Sequence, residues 1–268
     1  MGEPAGTVVL KMGGAVADDG AGALGGAVAL WRAGHAVVLV HGGGPEITRW
    51  SARMGLEARF VFGLRYSDPE TVAVAEMALA RVGKQLAAGL TRAGVPAISL
   101  GGRDAGVLSA TPLRWTDAAG QPVDIGLVGQ VSAVRVDVLR SLIAAGLLPV
   151  LAPVAPGADG TLYNVNADDA AADVAGALGA SALVLCTDVP GILVPGERAP
   201  LSRCDADHAR ALIARGVISG GMRPKVEACL RAVGAGVRAA WIVDGRRAGA
   251  VEAAVAGDGS AGTAVVAA

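Results

Sequence analysis

Short apolar runs, several of them ending in glycine, recur along this chain and alternate with segments of helical periodicity. The runs are TVVLKMGG (7–14), HAVVLV (35–40), PAISLGG (96–102), ALVLCTDV (182–189) and AAWIVDG (239–245). Continuous apolar strands that alternate with amphipathic helices are typical of a mainly parallel sheet covered on both faces. The sequence therefore predicts an α/β fold, in which ligands bind at the carboxyl ends of the strands.

Helical periodicity and turn residues predict the remaining elements. We expect a strand at LLPVLAPV and helices around PEITRWSARMG and at 21–34, 71–94, 136–146, 167–179, 208–216 and 224–236. Residues 104–135 contain few helical signals and several turn residues, which predicts short antiparallel strands or a hairpin. Residues 195–208 are interpreted as a surface excursion, and no linker divides the chain. One domain over 1–268 is therefore expected.

An aliphatic core and a balanced charge exclude several functional classes. Hydrophobic residues make up 53% of the chain but aromatic residues only 3%, so Ala, Val, Leu and Ile must form the core. The 23 basic and 24 acidic residues argue against a nucleic-acid-binding or membrane-surface protein. Three scattered cysteines indicate reduced thiols. The start is unlike a signal peptide, and prolines interrupt the uncharged stretch 141–158. We expect a cytoplasmic protein.

The stretch HGGGPEI (41–47) places three glycines between a strand and a helix. Backbone N–H groups of a glycine loop, followed by a helix N-terminus, can bind an anion. The pattern is neither GxxxxGK[ST] nor a strict GxGxxG after a strand. Taken alone, it is equally compatible with a structural turn.

Two lysines strengthen the anion hypothesis. Lys11, in KMGG, lies at the inner end of a buried strand, where an ammonium group is costly unless it meets an anion. Lys225 follows two glycines and lies in the first turn of a predicted helix, where its charge opposes the helix dipole. Each could instead be a solvated lysine at the end of an element.

Polar residues at three further junctions are candidates for ligand binding. NVNADDAAA (164–172) contains more Asn and Asp than helix capping requires, and TDVPG (187–191) follows a strand. Arg65, in GLRYSD, could grip a carboxylate or form a surface ion pair.

For His41 we favour a structural hydrogen bond. Since no general base is evident, the expected nucleophile is one already ionised at neutral pH, such as a carboxylate.

Taken in order, KMGG, HGGGPEI, GLRYSD, DIGLVGQV, NVNAD, LCTDVPGI and GGMRPKV resemble the amino-acid kinase family over nearly the whole chain. The resemblance implies a three-layer αβα sandwich with a mainly parallel central sheet. It implies an N-terminal lobe (about 1–178) for acceptor binding and dimerisation and a C-terminal lobe (about 179–268) for the nucleotide. It further implies transfer of the γ-phosphoryl group of ATP, with Mg²⁺ held mainly by the phosphates, to the γ-carboxylate of N-acetyl-L-glutamate in arginine biosynthesis.

The resemblance also implies roles for individual residues. Lys11 and Lys225 would neutralise the transferred phosphoryl group, and Asp168 would hold both lysines. The acceptor would contact Gly43, Gly44, Arg65, Asn164 and Asn166. The nucleotide would contact Gly13, Gly14, Thr187, Asp188, Gly191, Gly221 and Met222. No protein ligand for the metal is expected.

Departures from the family pattern leave alternatives open. Gly83 stands where relatives usually have Asn, and LGGRDAG (100–106) replaces the commoner LSGKDG. The acceptor could be another acid, such as carrier-linked aminoadipate, glutamate or aspartate, or the chain could be a non-catalytic amino-acid sensor. Arginine-inhibited members of the family carry an extra N-terminal helix that links dimers into a ring. Since only about six residues precede the first strand here, the resemblance implies a homodimer that is insensitive to arginine.

Overall fold

The computed structural model describes residues 5–13, 21–117 and 119–267. Its strands are β1 (Thr7–Met12), β2 (Ala36–His41), β3 (Phe60–Val61), β4 (Leu64–Arg65), β5 (Ala97–Gly101), β6 (Leu108–Pro112), β7 (Trp115–Thr116), β8 (Pro122–Val123), β9 (Val128–Val134), β10 (Leu148–Ala152), β11 (Val154–Pro156), β12 (Leu162–Val165), β13 (Ala182–Thr187), β14 (Arg203–Asp205), β15 (Ala239–Asp244) and β16 (Gly262–Val266). Its α-helices are α1 (Ala21–Arg32), α2 (Gly44–Arg53), α3 (Pro69–Arg92), α4 (Val136–Ala144), α5 (Ala167–Leu178), α6 (Ala206–Ala214), α7 (Met222–Gly234) and α8 (Ala250–Ala256).

Eight strands of the described chain form one central sheet, in the order β14-β16-β15-β13-β1-β2-β10-β5. Neighbouring strands are parallel except for the antiparallel pair β15 and β16. Strands β2 and β13 are buried along their whole length, which explains their continuous apolar sequences. The predicted mainly parallel sheet is confirmed.

Successive residues of the central strands point to opposite faces of the sheet, and each face packs against its own helices. Val9, Val38 and Leu183 lie in a core with residues of α5 and α7, whereas Val8, Leu39 and Val184 lie in a core with residues of α1, α3 and α8. This alternation of side chains is the two-residue period of a strand. The result is the αβα sandwich that the sequence predicted.

A smaller sheet lies next to the carboxyl ends of the central strands and carries part of the site. It has the order β11-β12-β9-β6, with β6 and β9 antiparallel. Its strand β12 runs directly into α5, whose N-cap is Asn166. The expected antiparallel strands within 104–135 are therefore confirmed, and β7 and β8 add a hairpin there.

Two interpretations of the sequence were incomplete. The apolar run LLPVLAPV contains the expected strand, β10, but its last residue, Val154, begins β11, which belongs to the smaller sheet. The stretch 195–208 is more than a surface excursion, since it includes β14, which pairs with β16 at the edge of the central sheet. Three residues are too few to show a strand period, so this edge strand left no recognisable pattern.

Candidate functional site

The glycine loop, Gly42 to Gly44, connects β2 to α2, and two of its backbone N–H groups are unused. The N–H of Gly42 donates to Met12 O at 3.0 Å, and the carbonyl of Gly43 accepts from the N–H of Ile47 at 2.9 Å. Within the described ranges, the N–H groups of Gly43 and Gly44 have no hydrogen-bond acceptor. These two donors, at a helix N-terminus, can bind an anion. A Cβ at Gly43 would lie 2.7 Å from Leu79 Cδ2, so glycine is also needed there for packing.

A lysine–aspartate cluster, formed by Lys11, Asp168 and Lys225, lies where β1, α5 and α7 meet. The Nζ of Lys11 is 2.7 Å from Asp168 Oδ1, and the Nζ of Lys225 is 3.0 Å from Asp168 Oδ2. Two of the three lysines in the sequence therefore share one carboxylate. The structure brings together the three residues that the sequence analysis selected as catalytic.

The lysine–aspartate cluster carries one positive charge in excess, and it is largely buried. Lys11 is 6% exposed and Asp168 is 5% exposed. Burial, together with the second ammonium group, lowers the pKa of Lys11 although Asp168 opposes this effect. Burial alone would raise the pKa of Asp168, but the two ammonium groups outweigh it and hold that pKa below its usual value. A buried excess positive charge favours an anionic partner.

A pocket opens beside the glycine loop, and we call it the acceptor pocket because the sequence analysis expected several of its residues to bind the acceptor. It is lined by Gly42, Gly43, Gly44, Ile47, Phe60, Gly63, Leu64, Arg65, Leu79, Val128, Pro153, Asn164, Val165, Asn166 and Ala167. Most of these residues are apolar or glycine, with one guanidinium and two side-chain amides among them. Such a pocket suits a small molecule with an apolar part and a carboxylate.

Arg65 is held in the acceptor pocket with a donor to spare. Its Nη2 donates to Gly44 O at 3.1 Å and to Thr48 Oγ1 at 2.7 Å, and its guanidinium lies 4.8 Å from the centre of the Phe60 ring. Its Nη1 is buried and has no hydrogen-bond partner among the described residues. Burial lowers the pKa of Arg65. A buried cation with an unused donor favours a carboxylate ligand.

Ser67 is a contributor that the sequence analysis missed. Its hydroxyl is completely buried, donates to Arg65 O at 3.0 Å and accepts from Asn164 Nδ2 at 3.2 Å. It thereby links Arg65 and Asn164, which are 99 positions apart in the sequence. The only local signal was its position two residues after Arg65, in GLRYSD, and that spacing does not reveal contact with Asn164.

Asn166 caps α5 and also lines the acceptor pocket. Its Oδ1 accepts from the N–H groups of Asp168 and Asp169, at 2.8 and 3.3 Å, and so caps α5. The cap fixes the first turn of the helix that carries Asp168. Its amide nitrogen remains the group available to a ligand.

Six of the remaining predicted residues are referred to below as the nucleotide edge, because the sequence analysis expected them to contact a nucleotide: Gly13, Thr187, Asp188, Gly191, Gly221 and Met222. Thr187 is buried at the end of β13, whereas Asp188 and Gly221 are exposed. At Gly191, which has φ of +143°, a Cβ would lie 2.6 Å from Thr263 Oγ1, so the close approach of the two segments requires glycine. Gly221 and Met222 begin α7, which carries Lys225. Gly14 lies outside the described residues.

Two features are absent from the described ranges, a metal-binding cluster and a membrane-spanning helix. No group of three or more His, Cys, Asp or Glu residues there is arranged to hold a metal ion. No helix in the same ranges has the length and apolarity needed to span a bilayer.

The chain is similar to known proteins over most of its length. The family model described as "Amino acid kinase family" matches residues 6–244. A protein of Pelotomaculum thermopropionicum named acetylglutamate kinase is 44% identical over 252 residues, which cover 90% of this chain and 85% of the relative. Another of that name, from Gluconacetobacter diazotrophicus, is 46% identical over 248 residues, covering 90% and 79%. The crystal structure of smu.665 from Streptococcus mutans UA159 superposes with a TM-score of 0.80 at 28% identity, covering 98% and 99%.

Proposed function

Because the chain belongs to the amino acid kinase family, we propose that it phosphorylates the γ-carboxylate of N-acetyl-L-glutamate at the expense of ATP. The product is N-acetylglutamyl 5-phosphate, and the reaction is a step of arginine biosynthesis. The names of relatives that are 44% and 46% identical over 90% of the chain favour this acceptor over carrier-linked aminoadipate, glutamate or aspartate.

The observation that carries the proposal is the position of the lysine–aspartate cluster at the same sheet edge as the free amides of Gly43 and Gly44. Repulsion between a carboxylate and a phosphate is a main obstacle to this reaction. Lys11, Lys225 and the two amides offset that repulsion by stabilising the negative charge on the oxygens of the transferred phosphoryl group. Asp168 holds both ammonium groups in place. An ionised carboxylate needs no general base.

The acceptor pocket provides orientation. We assign Arg65 and Asn164 to the α-carboxylate of the acceptor, with Asn166 beside them, so that the γ-carboxylate faces Gly43 and Gly44. The unused Nη1 of Arg65 supports this assignment, because its N–H groups are charge-assisted donors that a carboxylate can accept. Fixing the acceptor at its far end turns the transfer into a nearly unimolecular step.

We assign the nucleotide edge and Gly14 to ATP. The excess positive charge of the lysine–aspartate cluster suits a polyphosphate. We further propose that Mg²⁺ is the metal and that the nucleotide phosphates hold it. When bound, Mg²⁺ neutralises charge on the β- and γ-phosphates.

We propose further that the chain has two lobes, of which residues 1–178 bind the acceptor and form a homodimer, and residues 179–268 bind the nucleotide. The residues that line the acceptor pocket all precede position 178, which supports the division. Analytical ultracentrifugation of the purified protein tests the dimer.

Trapping the acyl phosphate tests the reaction. The purified protein is incubated with ATP, Mg²⁺ and hydroxylamine, and hydroxamate formation is compared for N-acetyl-L-glutamate, glutamate, aspartate and aminoadipate. We expect hydroxamate chiefly from N-acetyl-L-glutamate, and none above background from a Lys11→Met variant. Equal turnover of free glutamate contradicts the acceptor assignment. No turnover of any acid, with ATP unchanged, favours the non-catalytic sensor.

A further inference from the structure

His41 is the last residue of β2 and lies directly before the glycine loop. It is completely buried, and its Nδ1 is 3.1 Å from Gly42 O. A carbonyl oxygen can only accept a hydrogen bond, so Nδ1 carries the proton and donates. Burial lowers the pKa of His41 to about 4, so the ring is neutral at neutral pH and its Nε2 carries no proton.

The hydrogen bond from His41 fixes the orientation of one peptide plane. Gly42 C=O and Gly43 N–H belong to the same planar, trans peptide unit, so they point in opposite directions. Holding the oxygen on the His41 side therefore directs the N–H of Gly43 away from the ring. That N–H is one of the two donors of the loop that lack an acceptor in the described part of the chain.

The rest of the loop is fixed by other contacts, which leaves this peptide plane as the variable part. The Gly42 N–H is bound to Met12 O, and Gly43 O is bound to the N–H of Ile47. Glycine has unusual freedom to rotate its flanking peptide planes. Without the His41 hydrogen bond, the plane between Gly42 and Gly43 would be free to turn.

The ring of His41 is itself confined by α3. A Cβ at Gly83 would lie 2.9 Å from His41 Nε2 and 2.4 Å from Ser99 Oγ. Glycine at position 83 thus lets the helix approach the ring edge that carries Nε2. This contact also explains why a longer side chain at 83, such as Asn, cannot fit without displacing Ser99.

We propose that His41 is a positioning residue for phosphoryl transfer, which aims the N–H of Gly43 at the transferred group through its hydrogen bond to Gly42 O. The proposal rests on the proposed function, and it assigns His41 no contact with substrate. Its effect belongs to the transition state, so it changes kcat more than KM.

A matched pair of variants tests the proposal. In His41→Asn the amide Nδ2 takes the place of Nδ1, whereas in His41→Gln the amide nitrogen reaches the place of Nε2. Both variants bury one neutral amide, so a general cost of burying an amide affects them alike. We expect kcat of His41→Gln to fall about tenfold or more, a fraction of what loss of an oxyanion donor costs. For His41→Asn we expect kcat within about threefold of the wild type, with KM for ATP nearly unchanged in both.

Ser99→Ala is the control, since it removes a group near the Nε2 edge and leaves the Nδ1 hydrogen bond intact. We expect it to retain wild-type kcat. Equal kcat in His41→Asn and His41→Gln, or a loss in Ser99→Ala as large as that in His41→Gln, overturns the proposal.

Amide hydrogen exchange of a peptide covering 41–47 provides a readout that does not depend on activity. We expect faster exchange in His41→Gln than in His41→Asn, because the loop opens more easily without its anchor. Equal exchange in the two variants counts against the proposal. This readout remains valid even if the wild type phosphorylates none of the acids, because that result would refute only the proposed function.

Discussion

Arg65 in the acceptor pocket and Asp188 on the nucleotide edge lie at the same end of the central sheet, but they are held in different ways. Arg65 is 9% exposed and is fixed by Gly44 O and Thr48 Oγ1, while Ser67 binds its carbonyl. Asp188 is exposed, and its backbone carbonyl accepts one hydrogen bond from Arg246. Residues 188–202, all of them described, contain neither helix nor strand.

The difference between the two regions matches the two ligands. A small acid must be recognised by directed side chains in a closed pocket, where an unmatched group is left unpaired and is rejected. A nucleotide can be bound by loop backbone, which tolerates more movement. The lysine–aspartate cluster joins the regions, because in the proposed division β1 and α5 belong to one lobe and α7 to the other.

The largest effect is expected where the regions meet. Lys11→Met removes a buried ammonium group from the transferred phosphoryl group and leaves Asp168 with one partner. We expect kcat to fall about 10²–10³-fold, the scale of losing an oxyanion-hole donor. Steady-state kinetics measures this loss, and Lys84→Met, on an exposed part of α3, is the matched control. A fall of less than about fivefold would separate Lys11 from the chemistry.

Acid should lower the free energy of unfolding through His41, which lies beside the acceptor pocket. Its pKa is about 4 in the folded protein and about 6.5 in an unfolded chain, so the unfolded state binds more protons between these values. The stabilisation is complete above pH 6.5 and is lost as the pH falls towards 4. Between pH 7 and 5 we expect the free energy of unfolding to fall about 2 kcal/mol more in the wild type than in His41→Asn. Urea titrations at both pH values measure it, and parallel curves contradict it.

Binding of the acceptor should depend on the shape of the cationic side chain at position 65 as well as on its charge. Arg65→Lys keeps the charge but removes the planar guanidinium, in which Nη2 is held by Gly44 O and Thr48 Oγ1 while Nη1 remains for the acceptor, so we expect KM for the acceptor to rise about 10–100-fold. KM for ATP should change little if the two regions recognise their ligands separately. Arg59→Lys is the control, because Arg59 is exposed and stacks on Tyr66 near the same hairpin. An equal rise in both KM values would break the distinction between the regions.

Much of this arrangement could be predicted from the sequence, because it depends on local patterns. Buried parallel strands are continuous apolar runs, and glycines at their ends mark close approach of backbone, as at Gly43. Lys11 and Lys225 were candidates because ammonium groups at strand and helix ends need partners, and the amino-acid kinase resemblance singled out Asp168 and supplied the roles of all three.

The cross-links of the acceptor pocket could not be predicted in this way. Ser67 meets Asn164 only after β12 has been added beside β9, and no spacing in the sequence encodes that contact. The same holds for His41 and Gly83, which meet because α3 packs on the sheet. Edge strand β14 was missed because it is only three residues long.

The smallest effect is expected on the nucleotide edge, at Arg246. Its Nη2 donates to Asp188 O at 2.8 Å and to Asp244 Oδ2 at 2.8 Å, and so it ties the loop after β13 to the end of β15. The side chain is 48% exposed, so solvent can replace much of what Arg246→Ala removes. We expect KM for ATP to rise less than about fivefold and KM for the acceptor to stay constant. Kinetics with each substrate varied in turn measures both, and a loss as large as that of Arg65→Lys would mean that the nucleotide edge depends on fixed side chains as much as the acceptor pocket does.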